Sequence, residues 1–364
     1  MTRTSRAAVL VEPERFELRE FEIPSIGPDE ALVRIEACGI CGSDYEQFHG
    51  NTGTPTPVIP GHEPLGIVEE IGERAAARHG VVPGDRVAVR ARYGCGDCAA
   101  CARQDYDACR NGGEIGFTHL DRQPHLWGGY ADYLYIPPAI TLRKMRGDLP
   151  ARVAVLFNPL SAGFDWCVAT PELQPGDDVV VLGCGQRGLA CLLAARASGA
   201  GRVVVTGLSR DAHKLALARE FGADLTIDVE RDDLVETVMD FTDGEGARVV
   251  VDVTPMATES VLHAIAIAAW EGSIVLAGFK AWRTVEGFQS DAVAMKRLTL
   301  HGVRATRSVG WEPAIRFIEE TDLPLDKLST HAFELADAES AVRTLAGHYP
   351  DEQAINVAIV PERG

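Results

Sequence analysis

Residues 179–188 read Val-Val-Val-Leu-Gly-Cys-Gly-Gln-Arg-Gly, four apolar residues running straight into G-x-G-x-x-G. A strand that ends in this triplet and opens a helix can be built in few ways. Gly183 permits the tight turn, Gly185 lets the backbone approach a pyrophosphate, and Gly188 lets helix and strand pack closely. The helix that follows offers backbone N–H groups to phosphate oxygens, and Gln186 and Arg187 of the triplet are candidate coenzyme contacts with the glycines. The texture around the triplet agrees. Strands are expected at Asp178–Leu182, Arg202–Thr206, Leu225–Ile227, Arg248–Val253 and Ser273–Ala277. Helices are expected between them at Arg187–Ala197, Ala212–Phe221, Asp232–Phe241 and Thr258–Ala269. Such alternation predicts a doubly wound parallel sheet that binds a dinucleotide.

The preceding third of the chain has a different texture. Ala31–Ala37 alternates apolar and polar residues, and Gly66–Ile71 and Arg86–Ala91 are short β-rich runs between turns. A strand-like stretch, Ala354–Val360, closes the sequence. The expectation is a β-rich domain split in sequence, with the nucleotide-binding domain inserted in it.

Cys95, Cys98, Cys101 and Cys109 follow the pattern C-x2-C-x2-C-x7-C. The residues between them have no hydrophobic period, so something other than a core must order the loop. Four thiolates closing a tetrahedral shell around a structural zinc would do so. Such a closed shell leaves no position for substrate. Nine cysteines and no export signal point to a reducing cytoplasm. The formal charge of −18, from 35 Lys+Arg and 53 Asp+Glu, argues against nucleic acid and anionic membrane as partners. No apolar run is long enough to span a bilayer.

Two further motifs lie in the first part, Cys38-Gly-Ile-Cys41-Gly-Ser43-Asp44-Tyr45-Glu46 and Pro60-Gly61-His62-Glu63. With the cysteine loop, the glycine triplet and the late Leu328-Ser-Thr-His331 segment, they occur in an order that resembles the zinc-dependent medium-chain alcohol and polyol dehydrogenases along nearly the whole chain. The resemblance implies an α/β protein with a GroES-like β-rich catalytic domain and a Rossmann coenzyme domain. It divides the chain into residues 1–151, 152–297 and a return to the catalytic domain at 298–364. It implies hydride transfer between NAD(P) and a small-molecule alcohol, secondary and bulky or cyclic in the leading reading. A polyol or sugar dehydrogenase with an altered metal site, or a catalytically silent NAD(P)-binding protein, are the alternatives. A homodimer or homotetramer is implied, joined through Ser273–Ala277 and a neighbouring strand at Lys280–Val285.

Carried over by position, Cys41 and His62 would ligate a catalytic zinc with an open position for substrate. Asp44 would hold the imidazole. Glu63 would lie beside the metal as a ligand. Ser43 would carry the alcohol proton toward Glu46, at a relay position often filled by histidine. The third ligand of this family is a cysteine or carboxylate, and this chain has Asn158, a weaker ligand. Three arrangements stay open, taken in this order. Cys41, His62 and Glu63 hold the metal with Asn158 outside; Asn158 ligates weakly through its amide oxygen; or the site is metal-free and Asn158 binds substrate. Cys38 reads as a core residue, and His49 and His331 as structural or rim residues. The nicotinamide would lie near Val253, Thr254, Gly278 and Phe279. Tyr45, Trp127, Phe157 and Phe279 are candidate pocket walls. Gly207 stands where an acid normally binds the adenosine ribose. Its small size leaves room for a 2′-phosphate that Ser209 and Arg210 could bind, which leans to NADP, whereas Asp211 could swing to the ribose and favour NAD.

Overall fold

The computed structural model describes residues 3–103 and 105–362. Two compact units emerge, residues 158–317 and a unit assembled from residues up to 157 and from 318 onward.

In the first of these units, six parallel strands form one sheet. Their spatial order is Leu225–Asp228, Val203–Gly207, Val179–Leu182, Ala247–Asp252, Ala268–Leu276, Thr299–Gly302. Counted along the chain this is 3-2-1-4-5-6, the doubly wound arrangement. The valine-rich central strands bury both faces: Val180, Val204, Val250 and Ile274 sit in one core on one side, and Val181, Val205, Val251 and Val275 are buried on the other. Helix Gln186–Ala197 is apolar almost all round and correspondingly buried. The strand order reverses between Val179–Leu182 and Ala247–Asp252, and the crevice beyond their carboxyl ends is where such sheets bind ligands.

The sixth strand moves the expected boundary. The resemblance puts the return to the catalytic domain at residue 298, whereas Thr299–Gly302 pairs with Ser273–Leu276 and completes the sheet. Its sequence, Thr-Leu-His-Gly, is short, polar and exposed, as suits an edge. The second unit resumes only at Ile318. Lys280–Val285 forms no strand, and Ser273–Ala277 is an inner strand, so neither forms the sheet edge expected for them.

The other unit is built on a seven-stranded sheet. Ala31–Gly39 is its hub, paired antiparallel with Glu63–Ile71, Tyr133–Ile136 and Asn356–Ile359. The alternation read in Ala31–Ala37 overstates its exposure, because most of that strand is buried on both faces. The residues after 317 contribute Ser329–Phe333 and Asn356–Ile359 to this same sheet. Within it the Arg86 guanidinium grips the Glu36 carboxylate at 2.6 Å and two backbone carbonyls, those of Arg146 and Leu149. Among the described residues no helix is long and apolar enough to cross a membrane.

Candidate active site and metal centres

Cys41 stands at the N-cap of helix Gly42–Phe48, and the spacing C-x2-D places Asp44 one turn inside it. Asp44 Oδ2 accepts the Cys41 backbone N–H at 2.8 Å, satisfying one of the helix's orphan donors. Its other oxygen, Oδ1, lies 3.3 Å from His62 Nδ1. One buried carboxylate therefore caps the helix that carries the thiol and sets the ring plane of the imidazole. Burial alone would depress the His62 pKa, but the charges and hydrogen bonds of Asp44 and Cys41 outweigh it and hold the ring well above the usual histidine range. The Ser43 hydroxyl sits 3.3 Å from the other ring nitrogen, Nε2.

His62 and Glu63 reach this point through a turn that only glycine can make. Gly61 has φ of +91°, and a Cβ there would strike Tyr130. Glu63, the first residue of its strand, is fully buried, and its carboxylate occupies the space beside Gly39, where an added Cβ would come within 2.5 Å of Oε2. The Cys41, His62 and Glu63 donor atoms all lie within 4.8 Å of one another. Thiolate, imidazole and carboxylate are suitable zinc ligands, and three of them leave a fourth position open. The residues present thus fit a catalytic metal.

The cysteine loop fits a closed shell. Its four sulfurs lie within 4.8 Å of one another, with neighbouring pairs 3.5–3.9 Å apart. Four sulfurs around a zinc with Zn–S bonds of ~2.3 Å would be about 3.8 Å apart. The Cys95 backbone N–H, donated to Cys109 Sγ at 3.3 Å, helps bring the Cys109 thiol down to about 7. Cys38 is not in either set. It is fully buried against Gly61 and Gly129, and burial pushes its thiol well up.

Other expected residues are engaged elsewhere. Glu46 accepts the Asn51 amide at 2.8 Å. His331 pairs with Glu352, and His49 with Glu14. Trp127 and Phe157 are buried. The Tyr45 hydroxyl shares a hydrogen bond with His348 Nε2 at 2.8 Å, and its ring packs edge-on against His49. The aromatic that does stand beside the metal-ligand cluster is Phe117, with its ring 5.6 Å from that of His62. Sequence reasoning missed it because Gly116-Phe117-Thr118 carries no motif and is brought there by Gln47, which donates to the Gly116 carbonyl.

In the dinucleotide unit, Gly183 turns the chain at φ of +105°, with its N–H on the Thr206 hydroxyl. Gly185 caps the helix with open space where a Cβ would stand, and a Cβ on Gly188 would collide with the Gly183 carbonyl. Val253 and Thr254 pack beside Gly183, and Gly278 lies against the Thr254 backbone. Phe279 is largely exposed. Arg187 bonds to Asn158, its Nη1 to the backbone carbonyl at 3.1 Å and its Nη2 to Oδ1 at 3.0 Å. At the ribose end, Gly207 is small for a packing reason: a Cβ would come within 2.5 Å of Cys184 Sγ. The Ser209 hydroxyl is given to Asp228 at 2.6 Å and its N–H to Glu230. Asp211 pairs with Lys214, and Arg210 is exposed.

Lys280 carries no motif that marks it in the sequence. Its ammonium, 13% exposed, lies 2.8 Å from Asp252, which is wholly buried at the end of the fourth strand. It also donates to the Thr254 carbonyl and to the Ser260 hydroxyl. This network ties together the loops after the fourth and fifth strands, where the nicotinamide is expected.

Residues 27–146 match the family model for the alcohol dehydrogenase GroES-like domain, and residues 188–320 match that for zinc-binding dehydrogenases. The chain belongs to the zinc-dependent medium-chain dehydrogenase family. It is 43% identical over 98% of both chains to a Mycobacterium tuberculosis protein named "Probable alcohol dehydrogenase". It is 33% identical, over 98% of this chain and 97% of the relative, to the erythritol/L-threitol dehydrogenase of Mycolicibacterium smegmatis. Among solved structures, an alcohol dehydrogenase of Thermotoga maritima superposes with a TM-score of 0.88 at 26% identity, covering 99% of this chain and 100% of that one. A candidate zinc-binding dehydrogenase of Sinorhizobium meliloti bound to NADP gives 0.86 at 27%, with the same coverage. This family member is accordingly a zinc-dependent oxidoreductase of the alcohol and polyol dehydrogenase class with a nicotinamide cofactor.

Replacing Lys280 by Met should strand the buried Asp252 charge at a cost of about 3–5 kcal/mol. The expected result is a lowered urea midpoint together with weaker coenzyme binding in a fluorescence titration; an unchanged midpoint would contradict this account of Lys280.

Proposed function

We propose that the protein oxidises a secondary alcohol, or reduces the matching ketone, with a catalytic zinc held by Cys41, His62 and Glu63. The observation that carries this reading is the convergence of those three donors around the Asp44-braced imidazole. Zinc at this cluster would supply Lewis acidity toward the substrate oxygen and lower the pKa of a hydroxyl. Ser43, whose hydroxyl lies 3.3 Å from His62 Nε2, would take the hydroxyl proton and pass it outward toward Glu46, three residues on in the same helix. A nicotinamide coenzyme bound by the dinucleotide unit would supply the hydride chemistry. Phe117 beside His62 favours an apolar group on the substrate over a fully hydroxylated one. A polyol substrate is the second reading, supported by the likeness to erythritol/L-threitol dehydrogenase.

For the coenzyme we infer NAD(P) with a lean to NADP carried by Arg210, the exposed cation at the ribose end. Ser209 works less in favour of the 2′-phosphate than its sequence position suggests, since Asp228 takes its hydroxyl. We further infer a homodimer or homotetramer. Support comes from the edge strand Thr299–Gly302 and from the exposed Phe279, Trp282, Phe288 and Met295 in the same unit. Nine cysteines, none in a disulfide among the described residues, support a reducing cytoplasm.

Zinc analysis tests the metal reading. Wild type should hold about two ions per chain and Cys41→Ala about one, with turnover of a secondary-alcohol and polyol panel lost in the variant. One ion in both would reject it. Arg210→Ala should weaken NADP binding by about tenfold while changing NAD binding by less than about twofold; equal losses for both coenzymes would remove Arg210 from the selection. Native mass spectrometry should show dimers or tetramers, and monomer alone would reject the assembly.

A further inference from the structure

Arg187 is in the first turn of a helix, where the backbone dipole disfavours a cation. Its position in the glycine triplet invites the reading that it binds coenzyme phosphate. Its guanidinium is instead turned to Asn158, bonded to both oxygens of that residue, and lies 5.6 Å from the centre of the Trp166 ring. All three residues belong to the dinucleotide unit.

The bond decides which way the Asn158 amide faces. Arginine can only donate, so the atom 3.0 Å from Nη2 is the oxygen, and the amide nitrogen points the other way. A metal dication taking the same oxygen would share it with a guanidinium of like charge. The Cys41, His62 and Glu63 cluster meanwhile supplies three donors without Asn158.

We infer that Arg187 is a positioning residue that locks Asn158 as an N–H donor, outside the metal's ligand set. The asparagine in place of a carboxylate is then a change of role, from accepting or ligating to donating. This inference rests on the dehydrogenase reading above.

The test is a double-mutant cycle on the purified holoenzyme with Asn158→Ala, Arg187→Ala and the double variant, and with Arg187→Lys as the conservative replacement. Zinc content and coenzyme Kd are measured beside kcat and KM. Zinc per chain should stay at the wild-type value in all four, and coenzyme Kd within about twofold. Each single alanine variant should lose about tenfold or more in kcat/KM, the double variant should lose no more than Asn158→Ala, and Arg187→Lys should recover part of the loss. A fall in zinc in Asn158→Ala would make Asn158 a ligand and overturn the proposal. A coenzyme Kd raised tenfold by Arg187→Ala in both backgrounds would assign Arg187 to coenzyme phosphate and overturn it, as would additive losses. Should wild type hold only one zinc, the metal reading fails by itself, while the coupling between Arg187 and Asn158 still decides this proposal.

Discussion

The Asp44 carboxylate is the constraint on which the candidate metal site depends. It is almost wholly buried, and each of its oxygens has a separate task. One closes the N-terminus of the helix that begins after Cys41, and the other faces the His62 ring. A helix cap is a local interaction among neighbours in sequence; an imidazole brace is a tertiary one between segments eighteen residues apart. Joining them in one side chain makes the position of the thiol and the plane of the ring interdependent. Space for the third donor comes from absent side chains: Gly61 permits the turn and Gly39 leaves room for the Glu63 carboxylate.

The dinucleotide unit uses the same device at a strand end. Asp252 is a buried acid that terminates an apolar strand, and it is offset by Lys280 from the loop after the next strand. A buried carboxylate needs such compensation, so the two loops flanking the expected nicotinamide position cannot separate without exposing an unpaired charge to a low-dielectric interior. Arg187 and Asn158 form a third pairing of this kind, between the glycine turn and the helix starting near Phe157. In each case a polar group at the end of a regular element fixes a loop that regular hydrogen bonding would leave undetermined.

Much of this was legible in the amino acids. The period-switching between strands and helices, with G-x-G-x-x-G after the first strand, is a local signal and marks the parallel sheet to within a few residues. The cysteine spacing marks the loop whose sulfurs cluster. The misreadings have physical causes. Thr299–Gly302 was overlooked because an edge strand needs little apolar character. A strand at Lys280–Val285 is implied only by the resemblance, and these residues form none. Trp127 is buried, and an aromatic in a core and one at a pocket have the same sequence signature. Phe117 and Lys280 carry no motif at all.

The sequence by itself determined the fold class, the presence of a dinucleotide turn and the stock of metal-binding side chains, because these follow from periodicity, glycine placement and ligand chemistry over short stretches. Only the tertiary structure decided which groups share a space. It put Glu63 with Cys41 and His62, turned Arg187 to Asn158, set Lys280 on Asp252 and filled the space at Gly207 with Cys184. Those pairings depend on distances between segments far apart in sequence, and on the cost of burying a charge or a side chain without a partner.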